Sequence, residues 1–430
     1  MCSLAAALNF SESGAPMIRP SNPSTPTEFV VIGGGLAAAQ AVESMRAAGF
    51  DGRIMVVGEE ENLPYLRPPL SKDYLQGTAT RESLFLHSED WYRDHQVDLR
   101  VGVRATAIQR VAHTVMLSDG TDVHYDKLLL ATGSTPRRLA VPGADLSGIH
   151  YLRRVEDSDG IRDAFALQGQ VTIVGAGWIG LEAAAAAREA GCDVTVVETA
   201  SLPLVKVLGS DAAQVFADLH VQHGVALRLG VRLLDFTGSD GRVSAVRLED
   251  GSEIASETVV VGVGIMPNVT LAEDAGIDVD DGVLVDRHLR SSDPDVYAAG
   301  DVANAYHPVL ERRIRVEHWA NAVHQPVVAA EGMMGREAQY DRLPYFYSDQ
   351  YDVAMEYVGF ADPGHYDQVV FRGDVQGRRF TAFWLAGGRV LAGMAVNTPD
   401  VMDDLRALLE TGRTIDAARL ADPRLLFADV

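Results

Sequence analysis

The sequence predicts an α/β fold containing two copies of one unit, because the order strand, glycine turn, helix, strand occurs twice along the chain. In the first copy the apolar run Glu28-Phe-Val-Val-Ile32 leads into Gly33-Gly-Gly35-Leu-Ala-Ala38. A helix-like stretch follows to Ala48-Gly49, and the β-branched run Ile54-Met-Val-Val57 ends in Gly58-Glu59. In the second copy Val171-Thr-Ile-Val174 leads into Gly175-Ala-Gly177-Trp-Ile-Gly180, an alanine-rich helix through Ala190, and the strand Val194-Thr-Val-Val197 ending at Glu198. Two strand-plus-turn segments, Leu128-Leu-Leu-Ala-Thr-Gly-Ser-Thr-Pro-Arg137 and Asp295-Val-Tyr-Ala-Ala-Gly-Asp301, lie on either side of this second copy. That order makes the second unit an insertion within the first domain.

Each glycine turn suits a dinucleotide. Gly33 and Gly35, like Gly175, Gly177 and Gly180, let the backbone approach a pyrophosphate whose charge sits against the helix N-terminus. Glu59 and Glu198, at the ends of the second strands, are placed to accept hydrogen bonds from ribose hydroxyls. The spacing from Gly175 to Glu198 is 198 − 175 = 23, close to the roughly 20 of a dinucleotide fingerprint. Two such units imply two dinucleotides. A carboxylate at Glu198 repels a 2′-phosphate, and the following Thr199-Ala200 offers no Arg to hold one, so the second unit is expected to take NADH rather than NADPH.

At about 150 residues per domain, 430 residues make about three domains. Lys+Arg is 37 against Asp+Glu 60, a net charge of −23, and a field of that sign repels nucleic-acid phosphates and anionic lipid. Nucleic acid and membrane are therefore not expected as partners. The two cysteines, Cys2 and Cys192, form no disulfide framework, CxxC pair or zinc spacing; no metal site is expected, and a reducing cytoplasm fits best. No apolar run reaches the roughly 20 residues of a membrane span. Residues 1–26, rich in Ser, Pro, Asn and Thr, read as a flexible extension; the run LAAAL within it is too short and too poor in basic residues for a signal peptide.

Beyond the glycine turns, the segments PYLRPPLSK, ATGSTPR, GAGWIGLE, VGVGIMPN, YAAGD, EHWANA and YFYSDQYD occur in this order. On these residues the chain resembles the FAD-dependent ferredoxin reductases of oxygenase systems, a family that includes rubredoxin reductases and is similar to apoptosis-inducing factor. The resemblance spans about residues 28 to 400. It implies two dinucleotide-binding, Rossmann-like domains: an FAD domain in two segments, 27–145 and 255–332, and an NAD domain, 146–254, inserted between them. A C-terminal α/β domain, 333–430, is expected to cover the flavin.

The resemblance also implies residue roles. Expected FAD contacts are Gly33, Gly35, Leu36, Ala37, Ala38, Glu59, Arg67, Lys72, Ala105, Ala131, Gly133, Arg137, Arg153, Asp301 and Trp319, with Ala105 standing where the family more usually has Val. Expected NAD contacts are Gly175, Gly177, Trp178, Ile179, Gly180, Glu182, Glu198 and Gly264. Lys72 and Glu182 are expected to meet beside the flavin, and Trp319 to pack against its ring; these three are the candidate catalytic residues.

Reductases of related architecture that work through a disulfide carry a cysteine pair, whereas this chain has Pro68-Pro-Leu-Ser-Lys72 at one such place and only Cys192 in the NAD domain. A disulfide relay is ruled out, and electrons must leave directly from the flavin. The leading expectation is an NADH:ferredoxin reductase passing electrons to a [2Fe–2S] ferredoxin that feeds a cytochrome P450 or Rieske-type oxygenase. An NADH oxidase or reductase using oxygen or a quinone, and an apoptosis-inducing-factor-like redox-sensing interaction protein, stay open as alternatives. Arg312, Arg313 and Arg315 form the basic cluster nearest a flavin-facing motif and are the expected docking point for an acidic ferredoxin.

Overall fold

A computed structural model describes residues 27–430; the N-terminal extension and Cys2 lie outside the described residues. The first glycine unit forms a five-stranded parallel sheet. Its strands run in the order Val296–Ala298, Lys127–Leu130, Glu28–Ile32, Arg53–Val57, Val97–Arg100. Phe29, Val30, Val31 and Ile32 are all buried, as a strand covered on both faces requires. Helix Leu36–Ala47, made of small residues on its buried side, packs along helix Trp319–Met333 over this sheet.

The second unit repeats that plan. Its parallel sheet has the order Ala226–Leu229, Asp193–Glu198, Gln170–Val174, Thr258–Val261, Ile149–Tyr151. Thr258–Val261 therefore belongs to the second sheet, although the sequence places the return to the first domain at residue 255. Its partners Val171–Val174 and Ile149–Tyr151 show that the chain leaves this sheet only after Val261. Two adjacent crossings join the units, where Ser134–Pro136 pairs antiparallel with Ile265–Pro267.

The C-terminal region is a five-stranded antiparallel sheet, ordered Tyr345–Gln350, Val353–Gly359, Arg389–Val396, Arg379–Ala386, Gln368–Asp374. Alternation along Arg379–Ala386 divides its faces. Phe380, Ala382 and Trp384 join Phe216, Leu181 and Val196 of the second unit in one core, while Phe383 and Leu385 pack under helix Met402–Thr411. Helix Val205–Gln222 breaks at Gly209 (φ 74°). The Trp384 indole N–H donates to the carbonyl of Leu208 at 3.0 Å, tying that helix to the C-terminal sheet.

Candidate functional site

The two glycine turns are built alike. Gly33 donates its N–H to Val57 at 2.8 Å and Gly175 donates to Val197 at 2.8 Å, so each turn closes over the neighbouring strand. Both first glycines have positive φ, 124° and 102°. A Cβ on Gly33 would stand 2.1 Å from the carbonyl oxygen of Ala131, and one on Gly175 would stand 2.3 Å from that of Gly262. A Cβ on Gly180 would meet the Gly175 oxygen at 2.1 Å, which explains its place at the helix start. Gly35 and Gly177 differ: a Cβ on either meets nothing within 4 Å. These two glycines face open cradles at the N-termini of helices Leu36–Ala47 and Trp178–Glu189, where the first N–H groups lack intrahelical partners. Leu36, Ala37 and Ala38 begin the first of those helices, and Trp178 and Ile179 the second.

Around the first cradle the structure gathers charged residues that are distant in sequence. Glu59, exposed at its strand end, faces Arg104 at 3.2 Å and Arg154 at 3.7 Å, and Ala105 starts the strand that follows Arg104. Arg67 donates to Glu60 at 2.6 Å, to the Tyr65 hydroxyl at 2.9 Å and to the Arg153 carbonyl at 2.6 Å. Burial works against its charge, but Tyr65, Glu60 and Asp301 together hold the guanidinium pKa above its usual value. Arg153 donates to Asp301 at 2.9 Å, and the Ser134 hydroxyl donates to the same carboxylate oxygen at 2.7 Å. Gly133, following Ala131 in the turn after Lys127–Leu130, lies against the Arg153 guanidinium. Gln325 accepts the Gly300 N–H at 2.8 Å and so fixes the turn that carries Asp301. Arg137 is exposed at the crossing between the units, its N–H donated to the Gly264 carbonyl at 2.9 Å.

Lys72 and Glu182 meet. The ammonium lies 2.7 Å from the carboxylate, with side-chain exposures of 11% and 2%. Lys72 caps the short helix Pro68–Ser71, and Glu182 projects from Trp178–Glu189 of the second unit. The carboxylate also accepts from the Ser71 hydroxyl at 2.5 Å and the Ser348 hydroxyl at 2.6 Å. Tyr347 lies under the ammonium, 5.5 Å from ring centroid to Nζ, and edge-on to Trp319 at 6.3 Å. All three candidate catalytic residues thus share one neighbourhood. The buried Trp319 Nε1 and the His318 Nδ1 beside it have no partner.

In the second cradle Glu198 accepts the N–H of Ala176, in the glycine turn, at 2.8 Å, and the N–H of Ala200 at 2.8 Å. Burial opposes its ionisation, yet these N–H groups and the Thr199 hydroxyl hold its pKa below the usual carboxylate value. Trp178, half-buried at the start of its helix, packs edge-on to Phe216 at 5.4 Å, while Ile179 is exposed.

The basic cluster is smaller than expected. Arg315 is 10% exposed and pairs with Asp281 at 3.2 Å and Glu317 at 2.5 Å, so its charge is spent inside the protein. Arg312 and Arg313 stay exposed, although Arg312 pairs with Asp362.

The family model described as pyridine nucleotide-disulphide oxidoreductase matches residues 27–325, and one described as reductase C-terminal matches 345–429. The chain belongs to the pyridine nucleotide-disulphide oxidoreductase family. Rhodocoxin reductase of Rhodococcus erythropolis is 39% identical over 394 residues, 92% of each chain. The ferredoxin–NAD(+) reductase component of an anthranilate 1,2-dioxygenase system from Burkholderia cepacia is 38% identical, over 92% of this chain and 97% of its own. The fold superposes on putidaredoxin reductase in its covalent complex with putidaredoxin, with a TM-score of 0.90 at 34% identity, covering 94% of this chain and 98% of that one.

This member of the family has no disulphide to use among the described residues, since Cys192 is free and buried. The family's cofactors are FAD and NAD(H), and the residues fit them: the open cradles at Gly35 and Gly177 and the orphaned Trp319 Nε1 are places such groups fill. Sequence reasoning missed Ser71, Tyr65, Glu60 and Ser134, and it gave no role to Ser348 and Gln350 within YFYSDQYD. Tyr65 and Ser71 lie within PYLRPPLSK, Ser134 within ATGSTPR, and Ser348 and Gln350 within YFYSDQYD, so the motifs marked these positions without showing their contacts; Glu60 alone lies outside them.

Proposed function

We propose that the chain is an NADH-dependent reductase that passes electrons through FAD to a [2Fe–2S] ferredoxin serving a cytochrome P450 or Rieske-type oxygenase, in a reducing cytoplasm. The observation that carries this reading is the Lys72–Glu182 pair, buried at the meeting of the two glycine units, in a protein whose one described thiol is inert by burial. The chemistry the cofactors supply is hydride transfer from nicotinamide to flavin and release of the two electrons singly to an iron–sulfur protein.

The protein supplies alignment and charge. Gly35 and Gly177 leave room for the two pyrophosphates; Glu59 and Glu198 take the riboses; Asp301, held by Arg153 and Ser134, offers a carboxylate to the flavin's sugar chain. Lys72 offsets negative charge developing on the flavin, Glu182 holds that ammonium in place, and Trp319 offers a ring for packing. Arg312 and Arg313 are the residual docking point for the acidic partner.

Purified protein should be yellow, with one FAD per chain, and anaerobic NADH should bleach its flavin absorbance within a turnover. Colourless protein that takes up no FAD overturns the reading.

A further inference from the structure

The Lys72–Glu182 pair is the end of a longer buried chain. Gln350 Nε2 lies 3.0 Å from the Ser348 hydroxyl, and Gln350 Oε1 lies 2.9 Å from Nε2 of His220. Glu182, Ser348, Gln350 and His220 are each at most 2% exposed. Ser348 and Gln350 sit two residues apart on one face of strand Tyr345–Gln350, and the second unit brackets them, with Glu182 on one helix and His220 on another.

An ionised carboxylate only accepts hydrogen bonds, and that fixes the direction of the whole chain. The single Ser348 proton goes to Glu182, so Ser348 must accept from the Gln350 amide N–H. The Gln350 carbonyl is thereby turned toward His220, which must carry its proton on Nε2. His220 Nδ1 is then the unprotonated nitrogen, buried without a partner. In the opposite direction Ser348 would donate to Gln350, leaving a carboxylate oxygen of Glu182 without the hydroxyl proton at 2.6 Å. That loss is costly in a dry site.

We propose that Ser348, Gln350 and His220 are positioning residues for hydride transfer, a one-way donor chain that orients the Glu182 carboxylate and, through it, the Lys72 ammonium. The chain makes the active pair depend on docking of the C-terminal sheet, because two of its members lie on that sheet's first strand. The proposal rests on the function given above, so its test includes a readout independent of turnover.

Long-range proton–nitrogen spectra of the FAD-loaded protein labelled with ¹⁵N-histidine, with the His220 signals assigned by their loss in His220→Asn, should report the Nε2–H tautomer. In Gln350→Met, which removes the acceptor, the His220 signals should move toward a mixture of tautomers. In anaerobic stopped-flow, Ser348→Ala should lower the limiting rate constant of flavin reduction by NADH about tenfold. Gln350→Met should lower it about threefold. Flavin content and the Kd for NADH should stay within twofold of the parent in both. His220 found as the Nδ1–H tautomer, or a Gln350→Met spectrum that matches the parent, overturns the chain itself. A correct tautomer with an unslowed Ser348→Ala, or slowing that appears wholly as weaker NADH binding, overturns the positioning role. Should Ser348→Ala not fold, Gln350→Met with the two spectra decides the matter alone. Failure of the parent protein to be reduced by NADH would instead reject the assigned function and leave the tautomer result standing.

Discussion

The Lys72 ammonium lies 2.7 Å from the Glu182 carboxylate across the junction of the two glycine units, and two hydroxyls, from Ser71 and Ser348, bond the same carboxylate. Removing one partner of a buried ion pair strands the other, at about 3–5 kcal/mol; here the two hydroxyls soften that cost by still bonding Glu182. Preorganised charge of this kind contributes about 3 kcal/mol, or a factor of about 10² in rate.

Lys72→Met should therefore slow flavin reduction by NADH about a hundredfold while FAD stays bound. Glu182→Gln should have a smaller effect, part of it as weaker NADH binding. Stopped-flow reduction of fully flavinated Lys72→Met at the parent rate would make the pair structural only.

The two glycines of each turn should separate stability from binding. Gly33→Ala puts a Cβ 2.1 Å from a backbone oxygen at positive φ and should cost about 3 kcal/mol or more in urea unfolding. Gly35→Ala, with no atom within 4 Å of the added carbon, should leave apoprotein stability unchanged within about 0.5 kcal/mol but weaken FAD binding at least tenfold. Gly177→Ala should do the same for NADH while leaving FAD in place. Normal cofactor affinity in these two variants would remove the cradles from the account.

Selectivity for NADH should reside in Glu198. The carboxylate is bonded to Ala176 and Ala200 at the mouth of the second cradle, where it would face the 2′ position of a bound nucleotide. A like-charge contact at about 4 Å costs roughly 1 to 4 kcal/mol per unit charge between bulk water and an effective dielectric of 20, and a 2′-phosphate carries about 1.5 to 2 charges, so kcat/KM should favour NADH over NADPH at least tenfold. Glu198→Gln should narrow that ratio. Equal values for the two nucleotides with the parent protein would contradict the assignment.

Stability should fall as pH drops from about 6.5 toward 4. Burial holds His220 and His318 down to about 4, and burial with Arg342 and Arg406 does the same for His324. Unfolding returns each to about 6.5, so in that window the unfolded chain binds more protons and folding weakens with acid. For the fully buried His220 the slope is up to about 1.4 kcal/mol per pH unit. Urea midpoints from pH 7 to 5 should fall steadily, and less steeply in His220→Leu; a flat profile would contradict it.

Arg312→Glu with Arg313→Glu should raise the KM for ferredoxin, more so at low salt, with reduction by NADH unaffected. An unchanged ferredoxin KM would take both residues out of the interface.

What the sequence made legible was local. Each glycine turn, its strand and its helix are contiguous, and the need for positive φ at Gly33 and Gly175 is written in the residue type. Ser348 and His220 were illegible as partners because the contacts that give them meaning, to Glu182 and Gln350, join positions 166 and 130 residues apart. The boundary expected at residue 255 falls just before Thr258–Val261, a strand of the second sheet, because a β-branched run reads the same in either parallel sheet. Arg315 looked like surface charge until Asp281, on a neighbouring loop, was seen to neutralise it.

Electron transfer from the flavin straight to an iron–sulfur protein is measured by reconstitution: purified FAD-loaded protein, NADH and a [2Fe–2S] ferredoxin, with cytochrome c as the final acceptor. Cytochrome c reduction should rise with ferredoxin concentration and saturate. A rate insensitive to added ferredoxins and matched by oxygen or quinone consumption would contradict it.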